Sequence, residues 1–326
     1  MKDSALHPDR RKLNRFAALL VATALSSGAY AQTLITFKSS SVGTAYYQMG
    51  IELSEVISAA TEEDFVLSLE ESRGSVENVM EVAARQGNYV LTTPPGVIEQ
   101  ALAGEGPFAQ QQSPRFDDIR GLFPIPPMTM HFVLAGDHAP TAIESLAGKY
   151  VLVGSGTFSA REAQRYFELF GLTGDIRLAD AALDNGPQAL MDGKIDAFVT
   201  ASTFPTPNVT EVATSVPITL LSLTEEQIAQ TGELAQVIPG GTYPGVDEDV
   251  HTTSLPVLAY TTTQMDDDTA YRLTRAFWES REALIQRAVW WGAVTPDQLQ
   301  GLAAPLHPGA LRYYDEAGIE IDDTLR

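Results

Sequence analysis

The chain has 326 residues, of which 44% are hydrophobic and 19% are charged, a balance typical of a soluble globular protein long enough for two lobes. Its formal net charge of −21 argues against binding to nucleic acid, whose phosphates need basic partners. The sequence contains no cysteine, which excludes thiol nucleophiles, cysteine-ligated zinc, iron–sulfur clusters, disulfides and a lipoprotein anchor.

The N-terminal segment has the pattern of an export signal. Four basic residues between positions 10 and 15 precede an apolar stretch at 16–25, which is too short to span a membrane, and Ala29-Tyr30-Ala31 is a small-x-small cleavage motif. Cleavage is expected after Ala31. Residues 1–31 carry five Lys or Arg and two Asp or Glu, so their removal leaves 16 basic and 40 acidic side chains and a formal charge of −24. Such a surface repels anions at long range, so an anion site must use local dipoles and hydrogen bonds.

Short apolar runs alternate with amphipathic stretches from residue 33 onward, a pattern that indicates repeated strand–helix–strand units. The predicted strands lie at 34–37, 65–69, 89–91, 150–153, 175–178 and 195–199. The predicted helices cover 44–58, a stretch beginning near Ser75, a stretch that buries Ala160, Ala163, Phe167 and Phe170 and ends at Gly171, and 187–191.

Two extended apolar segments, 130–135 and 254–261, bracket the second set of units and are predicted to cross between two lobes as a hinge. The first of them follows a proline-rich stretch at 123–127. The chain is expected to return to the first lobe through one amphipathic helix that carries Ala270, Leu273, Phe277 and Leu284. The sequence thus predicts an α/β fold of two lobes, each a mostly parallel sheet flanked by helices, joined by crossover strands. Lobe 1 is expected at 32–133 and 256–326, and lobe 2 at 134–255.

The two halves share a strand that ends in a hydroxyl-rich turn and opens a helix, at 39–44 in one half and at 154–159 in the other. Glycine in these turns lets a ligand approach the backbone, and the first amides of a helix favour an anion. Because ligands bind at the carboxyl ends of strands in open α/β sheets, two facing turns would grip a carboxylate from both sides. Alternatively, the turns are only helix caps, since Ser159 and Glu162 fit a capping box and Ser75 fits an N-cap.

Six segments along the chain together identify a protein family more specifically than either turn does. They are Ser41-Val42-Gly43-Thr44-Ala45-Tyr46-Tyr47, Gly74-Ser75-Val76-Glu77-Asn78-Val79, Gly154-Ser155-Gly156-Thr157, Met191-Asp192-Gly193-Lys194-Ile195-Asp196-Ala197-Phe198, Ile238-Pro239-Gly240-Gly241-Thr242-Tyr243-Pro244-Gly245, and Pro305-Leu306-His307-Pro308-Gly309-Ala310 with the tyrosines and glycine that follow. In order and content this set resembles the TAXI-type solute-binding subunits of TRAP transporters. The resemblance covers nearly the whole mature chain. It implies a type II-like periplasmic-binding-protein fold that closes around glutamate, 2-oxoglutarate or a C4-dicarboxylate and delivers it, without ATP, to membrane subunits.

The resemblance also implies which residues contact the ligand. They are Ser41, Gly43, Thr44, Tyr46, Ser75, Thr93, Ser155, Gly156, Thr157, Phe158 and Tyr243. The chain departs from the family at 87–95, which lacks a Gly-x-Ala-Asp run and where Thr93 is the candidate contact, and at 123–127, which lacks a Pro-Glu pair. Arg73 and Arg161 lie close to the turns and could each add a salt bridge, although a solvated position is equally favoured.

Other chemistries lack their motifs. The five histidines show no metal-ligand spacing, so no metal or other cofactor is expected, and His307 is interpreted as an anchor for the C-terminal helix. There is no Gly-x-Ser-x-Gly elbow, and the 154–157 turn lacks the lysine of a P-loop. Trp290-Trp291 is interpreted as core or interlobe packing, with a transporter-docking patch as the alternative. We expect a monomeric periplasmic binding protein without enzymatic activity. An exported hydrolase, the binding protein of an ATP-driven importer and a sensor remain as alternatives.

Overall fold

The computed structural model describes residues 32–326 except 43, 63 and 140, so the expected export signal lies outside the described residues. The described strands are β1 Thr33–Lys38, β2 Phe65–Glu70, β3 Tyr89–Thr93, β4 Ile119–Ala135, β5 Tyr150–Leu152, β6 Arg177–Ala179, β7 Ala197–Ser202, β8 Ile218–Leu220, β9 Leu234–Ile238 and β10 Val250–Thr262. The described α-helices are α1 Ala45–Ala60, α2 Ser75–Met80, α3 Pro95–Ala103, α4 Phe158–Leu169, α5 Gly186–Met191, α6 Pro207–Ser215, α7 Glu225–Thr231, α8 Asp267–Glu279, α9 Arg281–Arg287 and α10 Pro308–Ala317. None of these helices is long and apolar enough to cross a membrane.

The two long strands, β4 and β10, pair antiparallel to each other and take part in both halves of the sheet. In the first half, β1 pairs in parallel with β2 and β3, and β3 joins the C-terminal end of β10. In the second half, β5 pairs in parallel with β6 and β7, while β7 joins the C-terminal end of β4. The strand order is β2-β1-β3-β10-β4-β7-β5-β6. The predicted α/β fold of two lobes with crossover strands is therefore confirmed.

Burial follows from this layering. Every residue of β3 and of β7 is buried, as expected for strands with helices on both faces. On α1 the apolar residues at helical spacing form one buried face, made of Tyr46, Met49, Leu53, Val56 and Ile57. A second hydrophobic cluster, which includes Phe198 and Leu190, lies on one face of the second half of the sheet, and Ala197 and Val199 on the other face belong to the main core. The core thus holds each parallel sheet rigid while the turns at the strand ends stay near the surface.

The proline-rich stretch at 123–127 lies inside β4. Pro124 stands opposite Leu258 of β10, whereas β7 joins β4 only from Thr129 onward. This part of β4 therefore has no β7 neighbour, which lets the sheet tolerate the missing proline amides. The register between β4 and β10 also shifts between Leu255 and Val257, so the pairing of the two long strands is irregular in the middle of β10.

The prediction of one continuous C-terminal amphipathic helix is wrong. Ala270, Leu273 and Phe277 are buried on α8, but the helix ends at Glu279 with Ser280 as its C-cap, and Leu284 belongs to α9. Serine is a weak helix former, and the next residue, Arg281, donates from its Nε to the Val294 carbonyl at 3.0 Å. That contact ties α9 to the segment that follows it.

Two other interpretations in this region are confirmed. Trp291 is buried in the core, and its indole donates to the Glu52 carboxylate of α1 at 2.7 Å, with Trp290 donating to the same oxygen at 3.2 Å. His307 is the N-cap of α10, where its Nδ1 accepts from the Gly309 amide. The C-terminal segment is therefore packed against the first lobe.

Candidate functional site

Helices α1 and α4 begin in the same way, one in each lobe. Thr44 accepts a hydrogen bond at Oγ1 from the Tyr47 amide at 3.2 Å and donates to the carbonyl three residues before it at 2.7 Å. Thr157 makes the matching bonds, 3.1 Å from the Ala160 amide and 2.7 Å to the Gly154 carbonyl. Both threonine hydroxyls are therefore engaged as N-caps, which fixes the shape of each turn.

The capping box predicted for Ser159 and Glu162 is wrong. Thr157 occupies the N-cap position, and Ser159 lies in the first turn of α4. Its hydroxyl accepts from the Ala201 amide of β7 at 3.0 Å, because the helix packs closely on that strand. The serine thus joins α4 to the sheet.

The caps leave the first two amides of each helix available. The amides of Ala45 and Tyr46 in α1, and of Phe158 and Ser159 in α4, have no hydrogen-bond partner within the described part of the chain. They lie at the positive ends of the two helix dipoles, where backbone amides bind anions. Each lobe therefore presents a pair of N–H donors.

Side-chain contacts between the lobes place these turns opposite each other. Ser41, before α1, donates to Asp184 after β6 at 3.4 Å. Arg161 of α4 donates from Nη1 to the Gln100 side chain of α3 at 2.8 Å. The carboxyl ends of β1 and β5 therefore border one cleft between the lobes.

Two glycines shape the turn after β5. Gly154 has a φ of 78°, and an added Cβ would lie 2.6 Å from the Leu183 Cβ, so only glycine allows this close approach. Gly156 has a φ of 80°, and an added Cβ would meet no described atom within 4 Å. The first glycine therefore serves packing, and the second leaves open space beside the helix N-terminus.

In both turns, carboxylates accept hydrogen bonds from donor groups that precede the helix. Glu71 accepts from the Val42 amide at 3.1 Å, and Asp180 accepts from the Ser155 hydroxyl at 2.9 Å. With Asp184 they give the rim of the cleft a negative charge. A ligand carboxylate would therefore find its donors deeper in the cleft, at the first amides of the helices.

Two further predicted contacts lie at the ends of lobe 1 elements. Ser75 is 4% exposed, and its hydroxyl has no partner in the described ranges. It is not an N-cap as predicted, because Gly74 holds that position and Ser75 begins α2. Thr93 is fully buried, and its hydroxyl makes only a 3.4 Å contact with the Pro94 carbonyl. Both residues are buried, and their hydroxyls have weak partners or none among the described residues.

The predicted tyrosine contacts, Tyr46 and Tyr243, are buried, and protein groups hold their hydroxyls. Tyr46 donates to the Pro126 carbonyl in β4 at 2.8 Å, which ties the start of α1 to the crossover strand. Tyr243 accepts from the Thr206 amide at 2.9 Å and lies 2.9 Å from His131 Nε2. Burial raises the pKa of both phenols.

The tautomer of His131 follows from its neighbours. Its Nδ1 lies 2.9 Å from the Thr129 carbonyl, which can only accept, so Nδ1 carries the hydrogen and Nε2 accepts from Tyr243. Burial lowers the pKa of His131 to about 4, against a smaller opposing effect of the Thr129 hydrogen bond. A neutral histidine thus connects β4 to the loop between β9 and β10.

Sequence reasoning missed a buried polar cluster that holds the strand ends of lobe 1. The Asn78 side-chain amide donates to the carbonyls of Ser39 at 2.8 Å and Thr92 at 2.9 Å, and its oxygen accepts from the Ser72 hydroxyl. Thr92 also donates to the Ser39 hydroxyl at 2.8 Å. Asn78 lies inside the Gly74–Val79 segment, but the identity of its partners depends on the sheet.

The structure places six of the predicted contacts at the start of α1 or α4. Those beside the two helix N-termini are Ser41, Thr44, Ser155, Gly156, Thr157 and Phe158. Gly43 lies outside the described residues. Of the two arginines, Arg73 is 89% exposed at its side chain and paired with Glu77, whereas Arg161 lies between the lobes.

Comparison with known proteins places the chain in a family. Residues 37–318 match the NMT1-like family. The fold is similar to that of the periplasmic binding protein BugD, with a TM-score of 0.55 and 12% identity over 89% of this chain and 98% of that chain. It is also similar to MatC from Rhodopseudomonas palustris with bound malate, with a TM-score of 0.56 and 12% identity over 89% of this chain and 97% of that chain. The chain therefore belongs to the NMT1-like family and has the two-lobed fold of periplasmic binding proteins.

Proposed function

We propose that the protein is the periplasmic solute-binding subunit of a TAXI-type TRAP transporter, which captures a small carboxylate and delivers it to the membrane subunits. The observation that carries this proposal is the pair of matching helix N-termini, α1 and α4, at the border of one cleft. Each has two amides without a hydrogen-bond partner among the described residues. Membership of the NMT1-like family and the two-lobed fold support a binding role, and the resemblance of the six sequence segments supports the TAXI type.

Capture would proceed by hinge closure. A ligand that contacts both lobes stabilises the closed state by the free energy of those contacts. We place the lobe boundaries in the crossover strands, with lobe 1 at 32–133 and 256–326 and lobe 2 at 134–255. The change of pairing partner along β4 at Thr129 and the register shift near Leu255 support a hinge in these strands. The protein would work as a monomer, by binding alone.

The ligand class is glutamate, 2-oxoglutarate or a C4-dicarboxylate. The four amides, which have no partner in the described part of the chain, suit a carboxylate, and the structure of MatC, which has a similar fold, contains bound malate. The rim carboxylates Glu71, Asp180 and Asp184 favour a ligand that also carries an ammonium group. Glutamate is therefore the first of these ligands to test.

A thermal-shift screen of residues 32–326 tests the proposal. The panel contains amino acids, 2-oxoacids and C4 to C6 dicarboxylates, with sodium chloride at matched ionic strength as the control. A ligand that binds only the folded state stabilises it by about 2.7 kcal/mol at a hundredfold excess over its Kd. We expect a saturable rise in Tm with one acidic ligand. The absence of a rise with every carboxylate would exclude the proposed ligand class.

A further inference from the structure

Arg161 occupies a distinctive position in the cleft. It lies on α4 three residues after Phe158, and its guanidinium stands over the Phe158 ring at 5.7 Å. From there its Nη1 reaches across to the side chain of Gln100 on α3, in the other lobe, at 2.8 Å. The guanidinium is therefore held between the lobes from both sides.

The opposite edge of this guanidinium is unpaired. Its Nε is buried without a hydrogen-bond partner, and no carboxylate forms an ion pair with Arg161, among the residues that the structure describes. The next arginine along α4 differs, because Arg165 is held by Glu162 at 2.8 Å and Glu233 at 3.1 Å. Burial lowers the pKa of Arg161, against a smaller opposing effect of Glu162. Buried donors without partners are rare, since each one costs free energy.

Helix geometry directs this edge toward the N-terminal turn. Long side chains on a helix lean toward its N-terminus, and three residues correspond to a rise of about 4.5 Å, which is shorter than the side chain of arginine. The guanidinium therefore lies beside the first turn of α4, over the Phe158 ring.

We propose that Arg161 pairs with a carboxylate of the ligand through its Nε–Nη2 edge, while Gln100 orients the guanidinium from the other lobe. An arginine edge of two parallel N–H groups matches a carboxylate, and Gln100 occupies only Nη1. The positive charge of Arg161 would then add to the attraction of the α4 amides for a carboxylate and offset the repulsion by the negative rim. This inference rests on the proposed function and names the charged group that selects its ligand.

Calorimetric titration of residues 32–326 with glutamate, 2-oxoglutarate and malate tests the pairing. We expect R161Q to weaken binding of the preferred acid by about tenfold or more, the effect of losing a hydrogen bond to a charged group. R161K keeps the charge without the two-donor edge and should fall between R161Q and the unsubstituted protein. R73Q is the matched control, because it removes the same charge from an exposed side chain paired with Glu77, and should change the Kd by less than about twofold.

An amide analogue separates ligand pairing from a structural role. The unsubstituted protein should prefer the acid to its monoamide, for instance glutamate to glutamine, and R161Q should lose about tenfold or more of that preference. Equal weakening of acid and amide would overturn the inference, as would unchanged affinity in R161Q. The Tm of each variant without ligand reports whether it is folded. If the unsubstituted protein binds none of the three acids, the proposed function fails with the inference, whereas failure of the R161Q result alone leaves that function standing.

Discussion

Replacement of Thr157 by alanine should destabilise the protein in the absence of any ligand. The hydroxyl accepts from the Ala160 amide at 3.1 Å and donates to the Gly154 carbonyl at 2.7 Å, and alanine loses both bonds. Loss of an N-cap costs about 1 kcal/mol, within a range of about 0.5 to 2 kcal/mol. Serine keeps the hydroxyl, so T157S should differ by less than about 0.5 kcal/mol. The same pair of substitutions at Thr44 should behave alike, because its two bonds match.

Urea denaturation at 25 °C, followed by circular dichroism, measures this effect as a change in the midpoint at constant slope. T157A should unfold at a lower urea concentration, and T157S close to the unsubstituted protein. If T157A unfolds at the unsubstituted midpoint while its ligand affinity falls, the hydroxyl serves the ligand and its role as a cap is refuted.

Three further predictions concern buried polar groups. N78A should lower the free energy of unfolding by about 3 kcal/mol, roughly 1 kcal/mol for each of the three hydrogen bonds of Asn78. The control N185A, at an exposed asparagine, should cost less than about 0.5 kcal/mol. Equal urea midpoints for the two variants would contradict this prediction. Because the folded protein lowers the pKa of His131 to about 4, the unfolded chain binds the proton first, and stability should fall by about 3 kcal/mol as the pH drops from about 6.5 to about 4. H131N should lack this part of the pH dependence of stability. Identical plots of unfolding free energy against pH for H131N and the unsubstituted protein would refute the prediction. Y46F should cost about 1 kcal/mol of unfolding free energy in urea, since it removes the bond to the Pro126 carbonyl, and an unchanged midpoint would contradict this.

The strand ends and helix starts at the cleft were predictable because their pattern is local. An N-cap bonds to an amide three residues away, so a hydroxyl before an amphipathic stretch carries the information within one turn. Which hydroxyl caps α4 was not predictable in this way. Thr157 and Ser159 both fit, and the contact of Ser159 with Ala201 on β7, 42 residues away, decides between them.

Contacts between residues far apart in the chain were the main feature that the sequence did not predict. Asn78 meets a carbonyl 39 residues away, and His131 meets Tyr243 112 residues away. Hydrophobic periodicity indicates that such residues are buried, but it does not say which polar group will lie beside them. The unpaired edge of Arg161 is of the same kind, because it depends on where α3 packs against α4.

Amide chemical shifts of isotope-labelled residues 32–326, recorded with and without a saturating carboxylate, test the central claim most directly. Capture between the two turns predicts large shifts for Ala45 and Tyr46 in one lobe together with Phe158 and Ser159 in the other. Shifts confined to one lobe, or to residues away from both helix N-termini, would contradict capture of the ligand between α1 and α4.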